Sequence, residues 1–192
     1  MDAAPAGALR ACLETFAILE REIGSLDQSA AGKEYGCYPA LPYAPAKFMA
    51  ALQTALDYLE STGRTENRTF LDIGCGIGTK VLLASYLFKE AVGFELDPIY
   101  LAVAEGLHRR AALGNVRFAN IDGLTFTGYA EFDVVFLYRP FRDAAKQRQL
   151  EQQVARTVSP GTVILGPHCD LDELAKSEGL RSLDTYLHVK SG

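Results

Sequence analysis

The chain has 192 residues, 48% of them hydrophobic, which is enough for one substantial core and too short for two full domains. Its formal charge of −5 offers no general attraction to phosphate backbones, so nucleic acid is a disfavoured partner. No apolar run approaches membrane-spanning length, and Asp2, Arg10 and Glu14 break any signal-peptide pattern at the start.

Leu9, Leu13, Phe16, Leu19 and Ile23 recur at helical spacing and predict an amphipathic helix ending near Gly24. From Gly32 to Pro45 the text turns to Gly, Pro and Tyr; Pro39, Pro42 and Pro45 predict an aromatic loop. Pro45 suits the first turn of a second helix with the stripe Phe48, Met49, Leu52, Leu56 and Leu59, stopping at Gly63. From Arg68 onward strands and helices alternate. Thr69–Ile73 reads as a strand, Thr79–Phe88 as a helix, Ala91–Glu95 as a strand, Pro98–Leu113 as a helix and Asn115–Ala119 as a strand. After a loop around Asp122 to Tyr129 come a strand at Phe132–Tyr138, a helix near Asp143–Thr157 and a strand at Thr162–Leu165. A short helix at Leu171–Ser177 and one or two strands between Leu180 and Lys190 close the chain. Strands separated by helices imply right-handed crossovers and a mainly parallel sheet covered on both faces.

The four cysteines, Cys12, Cys37, Cys75 and Cys169, form no CxxC pair, and His108, His168 and His188 are far apart. That pattern supports no metal site and predicts the reducing cytoplasm as the setting.

In an open α/β sheet, ligands lie beyond the carboxyl ends of the strands. The first strand ends in Asp72-Ile73-Gly74-Cys75-Gly76-Ile77-Gly78-Thr79, where glycines allow a tight turn and close approach of a nucleoside-like ligand to bare backbone. The helix opening at Thr79 offers unpaired N–H groups to a carboxylate or phosphate. The second strand ends in Glu95, about twenty residues after the glycines, the place from which an acid accepts hydrogen bonds from two ribose hydroxyls. Asp97 reads as the N-cap of the helix begun by Pro98. Asn120-Ile121-Asp122-Gly123 follows the third strand and Tyr138-Arg139-Pro140-Phe141 the fourth. A dinucleotide fingerprint carries its third glycine one residue later than Gly78, and Asp72 would sit badly beside a pyrophosphate.

The succession D-I-G-C-G-I-G, G-F-E-L-D, N-I-D-G and D-V-V-F-L-Y-R-P-F resembles the class I S-adenosylmethionine-dependent methyltransferases, strongly over Arg68 to Pro167. The resemblance implies an α/β, Rossmann-like three-layer sandwich. Its sheet would be mainly parallel and seven-stranded, or reduced at the last hairpin. Residues 67–192 would form the core, and residues 1–66 a helical extension with a cofactor-covering loop. It implies S-adenosyl-L-methionine as cofactor and S-adenosyl-L-homocysteine as product. Asp72 and the turn from Gly74 through Cys75, Gly76 and Gly78 to Thr79 would hold the methionine end. Glu95 would hold the ribose, Leu96 would pack on adenine, and Asp122 with Gly123 would meet the adenine amino group. Tyr138 would face the sulfonium and the incoming nucleophile, as the candidate catalytic residue.

Methyl transfer from a sulfonium is an in-line displacement that needs alignment and exclusion of water more than an acid–base pair. Nucleobase amino-methyltransferases resemble one another in an Asp/Asn/Ser-Pro-Pro-aromatic tetrad, of which Tyr138 to Phe141 keeps one proline and the aromatic and lacks the leading acceptor. The segment Tyr35 to Pro45 is loosely similar to one in small protein-lysine methyltransferases, where it folds over the cofactor. The expectation is therefore a cytoplasmic methyltransferase acting on an amine of a protein lysine or small molecule. Arg139, Arg142 and Lys47 are candidates for recognising an acidic substrate, and His168 for a base. A non-catalytic adenosylmethionine-binding sensor or assembly partner is the alternative, and oligomeric state stays open.

Overall fold

The computed structural model describes residues 13–19, 21 and 26–192. Of the first amphipathic stripe, Leu13, Phe16 and Leu19 are helical, while Leu9 and Ile23 lie outside the described residues. Leu13 and Phe16 pack against the main core.

Helix α1 (Ala30–Tyr35) occupies the beginning of what the sequence reads as loop. Ser29 caps it by accepting from the Gly32 N–H, and Gly36 ends it in the left-handed region at φ 85°. Helix α2 (Pro45–Ser61) starts on its proline and buries Phe48, Leu52, Leu56 and Leu59 of the predicted stripe, with Ala55 in addition and Met49 only partly buried. Then follow β1 (Thr69–Ile73), α3 (Thr79–Ala84), β2 (Glu90–Phe94), α4 (Pro98–Ala111), β3 (Val116–Ala119) and β4 (Val134–Leu137). The chain closes with α5 (Ala144–Thr157), β5 (Val163–Leu165), α6 (Leu171–Glu178), β6 (Leu180–Asp184) and β7 (Leu187–Lys190).

Helix α3 is a turn shorter than its apolar pattern suggests. The Asn115 amide donates to the carbonyls of Ser85 (2.7 Å) and Phe88 (2.9 Å), and Ser85 Oγ donates back to Leu82 O (2.7 Å). These bonds satisfy the segment in turns instead of helix.

The seven strands lie in the order β3-β2-β1-β4-β5-β7-β6, parallel except for β7, which runs antiparallel to both neighbours. The closing hairpin is complete. Strand side chains alternate between two apolar layers. Phe70, Val134 and Phe136 join α2 and α3 on one face, and Leu71, Ile73, Val135 and Leu137 join α5 and α6 on the other. Chain order reverses between β1 and β4, so the connections from their carboxyl ends diverge and open a crevice there. Among the described residues, no helix is long and apolar enough to cross a membrane.

Candidate active site

The crevice is walled by the ends of β1, β2 and β4. Asp72 sits inside β1, paired with Gly93 on one side and Phe136 on the other, so its carboxylate points from a fully formed sheet into the cleft. Burial, with the neighbouring Glu95 charge, holds its pKa well above the usual carboxylate range. Among the described residues no hydrogen-bond donor bears on it.

The turn after Asp72 is wound by its glycines. Gly74, Gly76 and Gly78 have φ of 73°, 55° and 79°. Its amides are used within the fold: Gly74 and Cys75 both donate to Phe94 O at 2.9 Å, and Gly78 to Cys75 O at 2.9 Å. Glu95 Oε2 accepts from Gly76 N at 2.8 Å and Oε1 from Asp97 N at 2.8 Å. Burial raises the Glu95 pKa, and these backbone donors pull against it. Glu95 thus fixes the glycine turn while lining the cleft.

The glycines answer different neighbours. A Cβ on Gly74 would meet Pro140 Cβ at 2.8 Å, and one on Gly78 would meet the Phe118 ring at 2.5 Å. Only at Gly76 is the nearest atom, Ala40 Cβ at 3.6 Å, across the cleft in ordinary contact. Gly78 is therefore a packing glycine and does not line the cleft, whereas Gly74, Cys75, Gly76 and Thr79 do.

Asp122 is also outside the lining, although Ile121 and Gly123 belong to it. Its Oδ1 accepts from Leu124 N at 2.9 Å, and its Oδ2 accepts from the Tyr35 hydroxyl. That hydrogen bond, with some burial, pushes the Tyr35 pKa up to about 12. Leu96 lines the cleft beside Glu95, with the buried Tyr100.

Residues 37–42 lie along the cleft opposite the glycine turn. The segment is laid across the β4 tip: Cys37 bridges Phe141 as an antiparallel pair, Tyr38 N donates to Pro140 O (3.1 Å), and Arg142 N donates to Gly36 O (2.7 Å). Arg139 takes φ 49°, an uncommon conformation for its type. From there its guanidinium stacks on the Tyr38 ring at 4.7 Å and donates to the Tyr38 hydroxyl at 2.7 Å. Arg142 lies 5.8 Å from the same ring. Lys47 is exposed.

Upstream the segment is anchored by Asp97, which is fully buried. Its Oδ1 caps α4 by accepting from Ile99 N (2.9 Å), and its Oδ2 accepts from Ser29 N (2.9 Å) and Ser29 Oγ (2.8 Å). The buried Gln28 amide donates to the carbonyls of Cys37 (3.2 Å) and Tyr38 (3.1 Å). Asp97 is an N-cap, as expected, and also a clamp, because Gly32 leaves its carboxylate room. A Ser-x-x-Gly opening of α1 is the only local signal of that clamp.

Tyr138 closes the β4 side. Its ring centroid is 4.8 Å from Tyr43 and 5.8 Å from His168, which in turn is 6.2 Å from Tyr186. Burial, then Tyr138, raises the Tyr43 pKa. Lys80, the second residue of α3, also lines the cleft and is only 6% exposed. Burial lowers its pKa to about 7. The signal for it was present in the sequence, a lone cation opening the apolar run Val81-Leu82-Leu83-Ala84.

A mainly parallel seven-stranded sheet in this order, with an acid and glycine turn after β1 and a second acid after β2, defines the class I methyltransferase fold. The methyltransferase-domain family matches residues 64–190, and the chain belongs to it. No curated protein matches the chain. Among solved structures it is similar to an RNA methyltransferase from Salinibacter ruber in complex with S-adenosyl-L-homocysteine. The identity is 23% over 71% of this chain and 88% of that one, with a TM-score of 0.51. It is also similar to the [4+2]-cyclase SpnF, at 16% identity over 93% of this chain and 72% of that one and a TM-score of 0.56. The chain spans about half the length of some structures it matches, such as YcgJ from Bacillus subtilis (24% identity, 59% of this chain, 50% of that chain, TM-score 0.46). At such identities the likenesses to the RNA methyltransferase and to SpnF show the fold alone.

Proposed function

We propose that the protein is an S-adenosylmethionine-dependent methyltransferase that methylates an amine, on a protein lysine or a small molecule. One observation carries this reading. A single cleft joins Asp72, a buried carboxylate with no donor among the described residues, to Glu95 and to Tyr138 at the β4 tip, whose ring packs tilted against Tyr43.

Asp72 suits the ammonium of the methionine end, because an incoming cation supplies donors that none of the described residues gives its carboxylate. Glu95 keeps lone pairs for ribose hydroxyls after accepting two backbone N–H groups, and Leu96 offers an apolar edge to adenine. Asp122 serves the adenine amino group only by sharing or releasing Tyr35. When bound, the cofactor would supply a methyl carbon made electrophilic by its sulfonium, so that a neutral nitrogen lone pair of the acceptor could bond to it as the C–S pair returns to sulfur. The Tyr138 face, backed by Tyr43, suits an amine side chain that has given its proton to solvent before methyl transfer. Residues 37–42 shield the reacting atoms from water.

Calorimetry with S-adenosylmethionine and S-adenosylhomocysteine tests the cofactor reading. Binding is expected, weakened by about 1.5–3 kcal/mol in Glu95→Ala, part of which reflects the loosened Gly76 turn. No binding by the intact protein would refute it. Labelled methyl transfer into fractionated lysate, followed by identification of the labelled species, tests the acceptor class. Binding with no labelled product favours a binding module instead.

A further inference from the structure

Of the three cations that the sequence offers for an acidic substrate, Arg139, Arg142 and Lys47, only Arg139 lines the cleft. It is half-buried at the β4 tip directly after Tyr138, and both residues belong to the cleft wall. Its backbone holds φ 49°, a costly conformation for a residue with a side chain. The guanidinium lies 4.7 Å from the centre of the Tyr38 ring and donates through Nη2 to the Tyr38 hydroxyl at 2.7 Å. Neither the ring nor the neutral hydroxyl cancels its charge. Among the described residues no carboxylate forms an ion pair with Arg139, whereas Arg64, Arg68, Arg117, Arg148 and Arg156 each have one. Arg142 lies 5.8 Å from the same Tyr38 ring, and Lys146 Nζ lies 3.5 Å from the centre of the Tyr35 ring. The cover therefore gathers positive charge on a chain whose formal charge is −5.

Resting on the methyltransferase reading above, we infer that Arg139 sets the specificity for the methyl acceptor. The acceptor is a small molecule that carries an anionic group, a carboxylate or a phosphate, a few bonds from the nitrogen that is methylated. A guanidinium presents a planar fork of N–H donors that fits either anion, so the anion can join Tyr38 there or displace it. Tyr138 and Arg139 are consecutive residues, with Cα atoms about 3.8 Å apart. An amine at the Tyr138 face and an anion at Arg139 thus belong to one compact molecule. A lysine side chain carries its nitrogen at the end of a long alkyl stem with no anion of its own close by, and it leaves Arg139 unmatched. Of the two acceptor classes proposed above, the small molecule is the one that completes the charges of this wall. Arg139 binds and orients here; it takes no part in bond making.

The test gives the full chain methyl-labelled S-adenosylmethionine and lysate divided by ultrafiltration into protein and small molecules, and identifies each labelled species by mass spectrometry. Label is expected on a small molecule that carries the methylated nitrogen together with a carboxylate or a phosphate, and the mass tells which. Loss of a charge-assisted hydrogen bond predicts that Arg139→Met lowers the labelling rate by about 10-fold or more, and Arg139→Lys should recover part of it. Calorimetry with S-adenosylhomocysteine shows that each variant is folded. Its affinity should stay within about 5-fold of wild type, the scale of the one Tyr38 hydrogen bond that is also lost. Label found only on protein, or on an amine without an anion, overturns the inference and leaves the methyltransferase reading standing. So does full labelling by Arg139→Met, or a loss of S-adenosylhomocysteine affinity as large as the loss of labelling, which would assign Arg139 to the cofactor. Binding of S-adenosylhomocysteine with no label in either fraction overturns both readings.

Discussion

Enclosing the Lys80 ammonium in the cleft wall should cost the protein stability, and Lys80→Met should recover part of it. The side chain is almost fully enclosed, and burial lowers its pKa from 10.5 to about 7. The unfolded chain holds that proton up to the ordinary lysine range, so between pH 7 and 10.5 the unfolded state binds more protons than the folded one. Stability therefore rises with pH across that window, and the full cost of enclosing the ammonium is felt below it. At about 1.4 kcal/mol for each pH decade, the cost approaches ~4 kcal/mol near neutrality, an upper bound because relaxation and water entry soften it.

Methionine is of similar length, flexible and uncharged, so it fills the space without the charge. Urea unfolding of the ligand-free protein at pH 7 should show Lys80→Met more stable than wild type by about 2–4 kcal/mol. The gain should shrink steadily toward pH 10. Other groups that titrate in the window, the raised Cys75 thiol among them, act in both proteins and cancel in the difference. A variant less stable than wild type at pH 7, or a difference independent of pH, would refute the reasoning.

Two further substitutions test the frame around the cleft. Asp97→Ala removes the acceptor of Ser29 N, Ser29 Oγ and Ile99 N from a fully buried site. Urea unfolding should show a loss of about 2–4 kcal/mol, with faster proteolytic cleavage within residues 26–44 under native conditions. Unchanged cleavage there would mean the clamp does not hold the cover. Gly74→Ala places a Cβ 2.8 Å from Pro140 Cβ on backbone at φ 73°, so a lower melting temperature, equivalent to about 1–3 kcal/mol, is expected. An unchanged melting temperature would show that the β4 tip yields freely.

The elements from β1 onward were legible because strand and helix periods alternate cleanly there, and because the strand tips carry Asp72, Glu95 and the Tyr138 wall in register. What stayed hidden depended on contacts distant in the chain. Nothing near Asp97 announces Ser29, 68 residues earlier, and nothing near Asp122 announces Tyr35. The glycines were legible as a turn but not as individuals. Gly78 faces Phe118 on β3, a neighbour fixed only when β2 pairs β3. Helix α1 was missed because its cap is a single serine and its body only six residues, too short for a periodic signal.

The segment over the cleft is held at both ends of the site. At the proposed nucleoside end it is tied through Ser29 to Asp97 and through Tyr35 to Asp122; at the β4 end, through Tyr38 to Arg139 and through Cys37 to Phe141. A ligand that takes Asp122 competes with Tyr35, and one that takes Arg139 competes with Tyr38. Tyr35 and Tyr38 sit three residues apart, separated by Gly36 in the left-handed region, which lets the chain turn between them. Gln28 secures the carbonyls of Cys37 and Tyr38 from beneath, so movement at either tyrosine bears on the same buried amide. Each exchange would cost about one hydrogen bond, roughly 1 kcal/mol, which sets the size of coupling expected if ligands at the two ends compete for these contacts. That is the scale at which one ligand can tune the affinity for another without a rearrangement of the sheet.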